Sequence, residues 1–560
     1  MNELALLHIT DSAYCFPISE NSIVIRLRTA KNDITDAWVL YESKYKIGEQ
    51  HNKAVMHKML RGKLYDYYSV TLTLEDTRLA YVFYLNDGKR YCYFSEDGIT
   101  ESYDFTKGYY NFFQYPFINK SDILPKTDWL SKAVFYQIFV DRFHKGNNEK
   151  DSSYINLRWG DLPTPHSFAG GDLKGIVSKL DYIRDLGCDA LYLTPIFRSD
   201  SNHKYDIIDY FEIDPMFGDK GDLKRLVYEV HKRDMKLVLD AVFNHVSEKN
   251  DKFQDVAKNG SNSLYHDWFV IKGDFPRKLP RNYEVFAECD YMPKWNTSNP
   301  AVQEYLISVA LYYIKKFHID GWRLDVSDEI SHDFWRQFRK AVKQEKEDAV
   351  IIGENWHDAS NCLRGDQYDS IMNYAFTKCV LDYFAYGKMN ACQAADKLND
   401  LLARNTDTVN DMMLNLLDSH DTDRFYSEVS ENPEKLHAAL CLLFFYPGAP
   451  SVFYGTECYT SGGYDPDCRR CMDWESVTRT EKNTVTKLLQ QLSKIKKTCF
   501  FSFDGTKIYS SADRNLLCVK RQGEKGDAAL YINQSDQIGC DGEVRVLPGK
   551  YKIFVNGGEV

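Results

Sequence analysis

Gly321-Trp322-Arg323-Leu324-Asp325 reads as a short buried strand that ends on a carboxylate. Period-two alternation puts Arg323 and Asp325 on one face. Alone, the pair has a purely structural reading as a salt bridge at a strand end. Its company changes that. Asp240 with Asn244 and His245, Glu354, and His420 with Asp421 close three other apolar runs. Polar residues at the ends of buried strands are costly unless paired or functional. Acids, histidines and an arginine gathered on one rim suit cleavage of a glycosidic bond. One carboxylate attacks the anomeric carbon, a second acid protonates the leaving oxygen, and a third can orient hydroxyls and stabilise positive charge. Arg323 would hold the attacking carboxylate ionised, and the protonating acid needs a drier site that raises its pKa. A retaining device of this kind sets its two carboxyls roughly 5–5.5 Å apart.

The elements that must position this set are strands alternating with helices. Strand one spans Phe135 to Val140. Ile176, Leu180, Ile183 and Leu186 follow at helical spacing, Gly187 ends that helix, and Ala190 to Leu193 is the next strand. The cycle repeats through Leu237–Asp240, Gly321–Asp325, Val350–Glu354, Met413–Leu417 and Ser451–Tyr454. Strands spaced by helices predict a parallel sheet closed into a (β/α)8 TIM barrel, with chemistry at the strand C-termini. The stretch between Asn244 and about Asn299 is long, aromatic and irregular, which predicts an inserted functional subdomain over 245–299. Residues 1–122 show short alternating strands, such as Ser22–Arg28 and Ser69–Leu74, and a hairpin through Leu85-Asn86-Asp87-Gly88. They predict an N-terminal β-sandwich. The barrel is expected over 130–500, and the end of the helices near Phe500 predicts a C-terminal antiparallel β domain over 501–560.

Bulk composition narrows the function classes. Of 560 residues, 44% are hydrophobic and 27% charged, as in a globular chain. A net charge of −11 leaves no basic excess for nucleic acid. The first residues carry no basic n-region followed by an apolar run, and no 18-residue apolar window occurs, so neither secretion nor a membrane is expected. The 14 cysteines are scattered through apolar patterns and read as reduced, buried thiols, in keeping with a cytoplasmic protein. Cys468 and Cys471 form a CxxC without a second Cys or His pair, which is not a zinc pattern. Aromatics at 14%, with 39 tyrosines, suit stacking on sugar faces and large cores equally.

With these residues in view, the sequence resembles the α-amylase family of retaining glycoside hydrolases. Four motifs match in order: Asp240 to His245, Gly321 to Asp325, Gly353-Glu354-Asn355-Trp356 and Ser419-His420-Asp421. Tyr136 to Phe143, Gly170-Gly171-Asp172 and His203-Lys204-Tyr205-Asp206 match as well. The resemblance implies Asp325 as nucleophile, Glu354 as general acid/base and Asp421 as third carboxylate. It further implies that His245 and His420 hold hydroxyls of the sugar being cleaved, that Tyr205 stacks on it, and that Arg323 and Trp356 complete the binding site. Asp240 is expected to be a structural partner. Met292-Pro293-Lys294-Trp295-Asn296 resembles the Met-Pro-Lys-Leu-Asn stretch of the neopullulanase, cyclomaltodextrinase and maltogenic amylase group. In that group the N-terminal sandwich forms a dimer, so a homodimer is expected, with a plain starch-binding module as the other reading. The stretch Gly462 to Arg470 resembles one in which an aspartate and an arginine face the non-reducing end of the substrate, which points to Asp465 and Arg469.

The implied activity is retaining hydrolysis of α-1,4-glucosidic bonds in cyclomaltodextrins, maltooligosaccharides and pullulan, with transglycosylation. An α-glucosidase, a glucanotransferase and a non-catalytic glucan-binding protein are the alternatives. Two departures stand out. The group often binds calcium through Asn-Gly-Asp-x-x-Asn-Asp, whereas this chain has Lys145-Gly146-Asn147-Asn148-Glu149-Lys150-Asp151. Lysines sit where a hard cation needs oxygen ligands. The expectation is a weak or lost calcium site with Asp151 and Asp172 as its remnant, and no required cofactor. The second departure is Val326-Ser327-Asp328-Glu329, where Val-Ala-Asn-Glu is usual.

Overall fold

The structure is a computed structural model that describes residues 1–46, 51–106, 111–478 and 484–560. Among these, eight parallel strands form the central sheet: β1 (Phe135–Ile138), β2 (Ala190–Leu193), β3 (Lys236–Ala241), β4 (Gly321–Leu324), β5 (Val350–Gly353), β6 (Ser370–Ile371), β7 (Leu414–Leu416) and β8 (Ala449–Phe453). Nearly all their side chains are buried on both faces, as helices on the outside and packed side chains within require. The strand order is β6-β5-β4-β3-β2-β1-β8-β7. A parallel bridge between Met372 and Leu414 joins the two edges, so the sheet closes as a TIM barrel.

Register decides what meets at the rim. Arg323 of β4 pairs with Asp240 of β3 on one side and Ile352 of β5 on the other. Such close pairing needs Gly321, where a Cβ would come within 2.9 Å of the Val350 nitrogen and 2.5 Å of its carbonyl oxygen. The helices are anchored by local side chains. Asp172 caps Leu173–Asp185, Asp219 and Asp222 form a capping box on Lys220–His231, and Ser331 caps His332–Glu345. Gly187 takes φ +93° just past the first of these helices, a left-handed geometry that suits glycine.

Ahead of the barrel, two antiparallel sheets pack as a sandwich. Ile23, Ile25 and Leu27 of one face Val39, Tyr81 and Phe83 of the other in a shared core. Arg26 ties the sandwich to the barrel, donating to Ala13 O and Asn405 O and pairing with Asp407. After the barrel comes an antiparallel sheet from Phe501 onward. Its Arg521 donates to Phe445 O at 2.8 Å. No helix among the described residues is long and apolar enough to cross a membrane.

The expected strands differ from the observed ones in revealing ways. β4 and β5 stop at Leu324 and Gly353, so Asp325 and Glu354 are the first residues of the loops and not the last of the strands. Val140 belongs to a helical turn, Val140–Phe143, because Asp141 and Arg142 turn inward to bind the loops above. β6 has two residues and carries no periodicity to find. The 245–299 segment contains a helix, Asp251–Asn259, and isolated bridges such as His245 to Lys294 and Val285 to Pro293.

Candidate active site

The rim of the barrel opens into a cleft of about 770 Å³. Its floor is organised by Arg323, which is 1% exposed. Nη1 donates to Asp325 Oδ1 at 2.9 Å and to both Asp240 oxygens at 3.1 Å. Nη2 lies 2.9 Å from Glu354 Oε2, off the hydrogen-bonding direction, and 3.9 Å from Asp421 Oδ2. One guanidinium, planar and permanently charged, thus addresses four carboxylates.

Each acid is then fixed differently. Asp325 keeps a second oxygen, Oδ2, buried and without a protein partner. Glu354 accepts from Val326 N at 2.9 Å and from Trp356 Nε1 at 3.2 Å. Asp421 faces His420 Nε2 at 3.2 Å and Arg469 Nη2 at 3.6 Å. Asp240 also accepts from Tyr192 at 2.6 Å and Tyr205 at 3.0 Å, which saturates it as a structural partner. Loss of hydration raises the pKa of all four acids, with Arg323 opposing. The expectation that Arg323 lowers the Asp325 pKa therefore describes its own contribution, which burial outweighs. Four carboxylates crowded around Arg323, with Arg469 near Asp421, disfavour one another's ionised forms, which adds to the effect of burial. Asp325 is the member with a directed bond from Nη1. Glu354 has no aligned guanidinium hydrogen, and its two oxygens accept instead from the Val326 and Trp356 N–H groups.

Burial disfavours the charged form of both histidines. Burial first, then nearby cations, drives His420 well below its ordinary pKa and His245 down to about 3. Gln137 Nε2 lies 2.7 Å from His420 Nδ1, which makes Nδ1 the acceptor and leaves the proton on Nε2, toward Tyr205 OH and the cleft. The Tyr205 and His420 rings are parallel within 2°. His245 stacks on Phe286 at 4.6 Å, and its buried Nε2 has no protein partner.

Tyr205, His245, Asp325, Glu354, Trp356, Asp421, Asp465 and Arg469 line this one cleft, with Arg323 and His420 buried against it. Arg469 holds Asp465 at 2.8 Å and the His420 carbonyl at 2.8 Å. Asp151 and Asp172 lie outside the cleft lining. Asp151 is exposed and accepts from Ser153, while Asp172 accepts from Gly146, Asn147 and Gly175 and pairs with Lys150 at 3.0 Å. These residues do not fit calcium: Asp151 turns away, and an ammonium sits against Asp172. Cys468 and Cys471 are buried thiols, and Cys468 donates to the His420 carbonyl. Sequence reasoning missed His203, Phe286, Tyr291 and Gln137, and also Tyr374, which stacks under Trp356 at 3.7 Å. The aromatic density of 283–295 was a signal for some of them. Gln137 and His203 lie within stretches that match family motifs, Tyr136 to Phe143 and His203 to Asp206, but the motifs alone did not single them out.

Comparison with known proteins identifies the family. The family description "Alpha amylase, catalytic domain" matches residues 137–499, and "Alpha amylase, N-terminal ig-like domain" matches residues 1–119. A cyclomaltodextrinase of Thermoanaerobacter pseudethanolicus is 45% identical over 475 residues, covering 84% of this chain and 82% of the relative. Neopullulanase 2 of Thermoactinomyces vulgaris is 42% identical over 477 residues, covering 84% and 80%. A solved cyclomaltodextrinase structure superposes with a TM-score of 0.90 at 35% identity, over 96% of this chain and 92% of that one. A catalytic-domain match across well over half of the sequence, with relatives this similar over most of their own length, places the chain in the α-amylase family of glycoside hydrolases.

Proposed function

We propose that this α-glucan hydrolase is a retaining enzyme for α-1,4-glucosidic bonds in cyclomaltodextrins, maltooligosaccharides and pullulan, and that it also transfers glycosyl groups to sugars. The observation that carries the reading is the Arg323 clamp. Asp325 and Glu354 each approach a different nitrogen of one guanidinium at 2.9 Å, so both carboxyls reach one scissile bond. Asp325 is the nucleophile. Its Oδ2, free of protein partners, attacks the anomeric carbon as Glu354 gives its proton to the leaving oxygen. Glu354 then takes a proton from water or from an acceptor sugar, which attacks the glycosyl–Asp325 ester and restores both groups. Asp421, beside His420 and Arg469, binds hydroxyls of the same sugar and favours the positively charged transition state. Tyr205 stacks on that sugar, and His245 and His420 donate to it. Asp465 and Arg469, the latter beside Asp421, face the non-reducing end of the substrate.

The names of the relatives support the substrate class. The N-terminal sandwich pairs two copies in this reading, which sedimentation velocity tests. Free cysteines, most of them buried, suit a reducing cytoplasm. The central experiment compares products from γ-cyclodextrin, pullulan and starch for the wild type, Asp325→Asn and Glu354→Gln. Maltose or panose from the wild type, with at least a ~10³-fold loss in both variants, is expected. Near wild-type turnover in both would remove the assigned roles. Glucose as sole product from maltose would favour an α-glucosidase instead.

A further inference from the structure

The first barrel loop carries a buried lysine in an unusual position. Lys150 Nζ contacts Gly170 O at 2.7 Å, Met216 O at 2.8 Å and Asp172 Oδ2 at 3.0 Å. Its side chain is 6% exposed and that of Asp172 1%. An ammonium has three N–H donors. Here two carbonyls and one carboxylate receive them, so the donor set is used up. The three acceptors come from two segments: Gly170 and Asp172 lie in the stretch that ends on the cap of helix Leu173–Asp185, and Met216 lies in the turn before helix Lys220–His231. The remaining Asp172 valences are also filled, by Gly146 N and Asn147 N at 3.0 Å and Gly175 N at 2.7 Å.

All-oxygen cradles built from carbonyls and a carboxylate are what hard cations take. The group resemblance leads one to expect calcium in this loop. From the disagreement between that expectation and the residues, we infer that the Lys150 ammonium is itself the cation of this site, a tethered charge that does for the loop what a bound divalent ion would do. A second cation beside it would meet a positive charge about 3 Å from the carboxylate it needs, a strongly repulsive arrangement in a buried cradle. Neighbouring Asp141 is not available to compensate, since it is paired with Arg142 at 2.6 Å and accepts from Ala169 and Gly170.

The arrangement reaches the cleft through two routes. Arg142 donates to Arg469 O at 2.9 Å and to Ser167 O at 2.6 Å, so the loop that Lys150 holds also braces the arginine beside Asp421. Met216, held through its carbonyl by Lys150, meets the buried Lys204 through its sulfur at 3.4 Å, and Lys204 precedes Tyr205. Lys150 is thus a positioning residue and does not touch substrate.

A tethered cation and a bound one differ in mass action. Stabilisation by a dissociable ion grows with the logarithm of its concentration, whereas a tethered charge adds a fixed amount. The test is the melting temperature of the full chain in EDTA and in rising CaCl2, together with the calcium content of purified protein by mass spectrometry. For the wild type a flat melting temperature and no bound calcium are expected. Lys150→Met, of similar length and without charge, should melt lower by about 3 °C or more and stay insensitive to calcium. Lys150→Asn returns an oxygen ligand and vacates the ammonium position. It should melt lower in EDTA and recover as calcium is added, with binding visible by titration calorimetry. The inference fails if the wild type carries about one calcium per chain or gains stability with CaCl2. It fails as well if Lys150→Met melts with the wild type, or if Lys150→Asn shows no calcium-dependent recovery. Should Lys150→Met not fold, the wild-type calcium titration decides alone.

Discussion

Arg323→Met is the perturbation that asks most of this site. Methionine keeps an unbranched apolar stem but removes the charge that Asp240, Asp325 and Glu354 share within 3.1 Å. Breaking a buried ion-pair network by deleting one partner costs about 3–5 kcal/mol. If that loss falls on the reacting carboxylates, kcat/KM on γ-cyclodextrin drops roughly 10²- to 10³-fold or more at neutral pH. The direction with pH follows from the same contacts. Arg323 opposes the burial that raises the acids, so without it their pKa values climb further. The nucleophile is then protonated over a wider range, and the acid limb of the rate profile moves to higher pH. Stability shows the matching sign. A carboxylate whose folded pKa lies above its unfolded value binds more protons when folded, so it stabilises below the unfolded pKa and loses that contribution as pH rises through the folded one. The variant should therefore lose melting temperature more steeply than the wild type between pH 4 and neutrality. The assay is kcat/KM from pH 4 to 9, with melting temperature over the same range. An acid limb at its wild-type position, or a loss under about tenfold throughout, would refute the reasoning that one guanidinium sets the charge of this cluster.

Three other outcomes follow from the geometry. Gln137→Leu removes the donor that fixes the His420 tautomer, and should lower kcat/KM by roughly tenfold to a hundredfold while leaving the melting temperature within a few degrees; an unchanged pH–rate profile and rate would exclude a tautomer role. His245 and His420 should show neutral imidazole resonances by NMR down to about pH 5, since burial holds both well below their ordinary pKa, and titration of either near pH 6.5 would contradict the buried site. Arg26→Met cuts the tie between the N-terminal sandwich and the barrel and should cost about 1–3 kcal/mol, seen as a lower urea midpoint with little change in kcat; full stability would mean that the Asp407 and Asn405 contacts contribute nothing.

The parts of this molecule that were legible in the sequence are those where a local pattern and its partner share one physical cause. β4 could be found because its residues alternate around Arg323, and the acids could be found because carboxylates at the mouths of apolar strands are hard to explain otherwise. What stayed hidden was mutual arrangement. β6 is two residues long, so no periodicity marks it, yet its neighbour Met372 closes the barrel against Leu414. Gln137 lies in a stretch that matches a family motif, yet only the fold shows that its amide meets His420. Tyr374, Phe286 and Trp356 are ordinary aromatics whose stacking depends on loops that sequence does not fold.

Lys150 shows how the two kinds of information combine. Sequence placed a lysine where an oxygen ligand was expected, and from that alone a degraded metal site was the natural expectation. Position could not say where the ammonium goes, because a lysine in a polar loop ordinarily extends into water. The structure turns it inward, onto two carbonyls and a carboxylate, and the same substitution then reads as one cation exchanged for another. The exchange is chemically reasonable only because the three acceptors match the three donors of an ammonium, a requirement that neither arginine nor a neutral side chain would meet in the same space. A departure from a family pattern is therefore better judged by what the new side chain binds than by what the old ligand has lost.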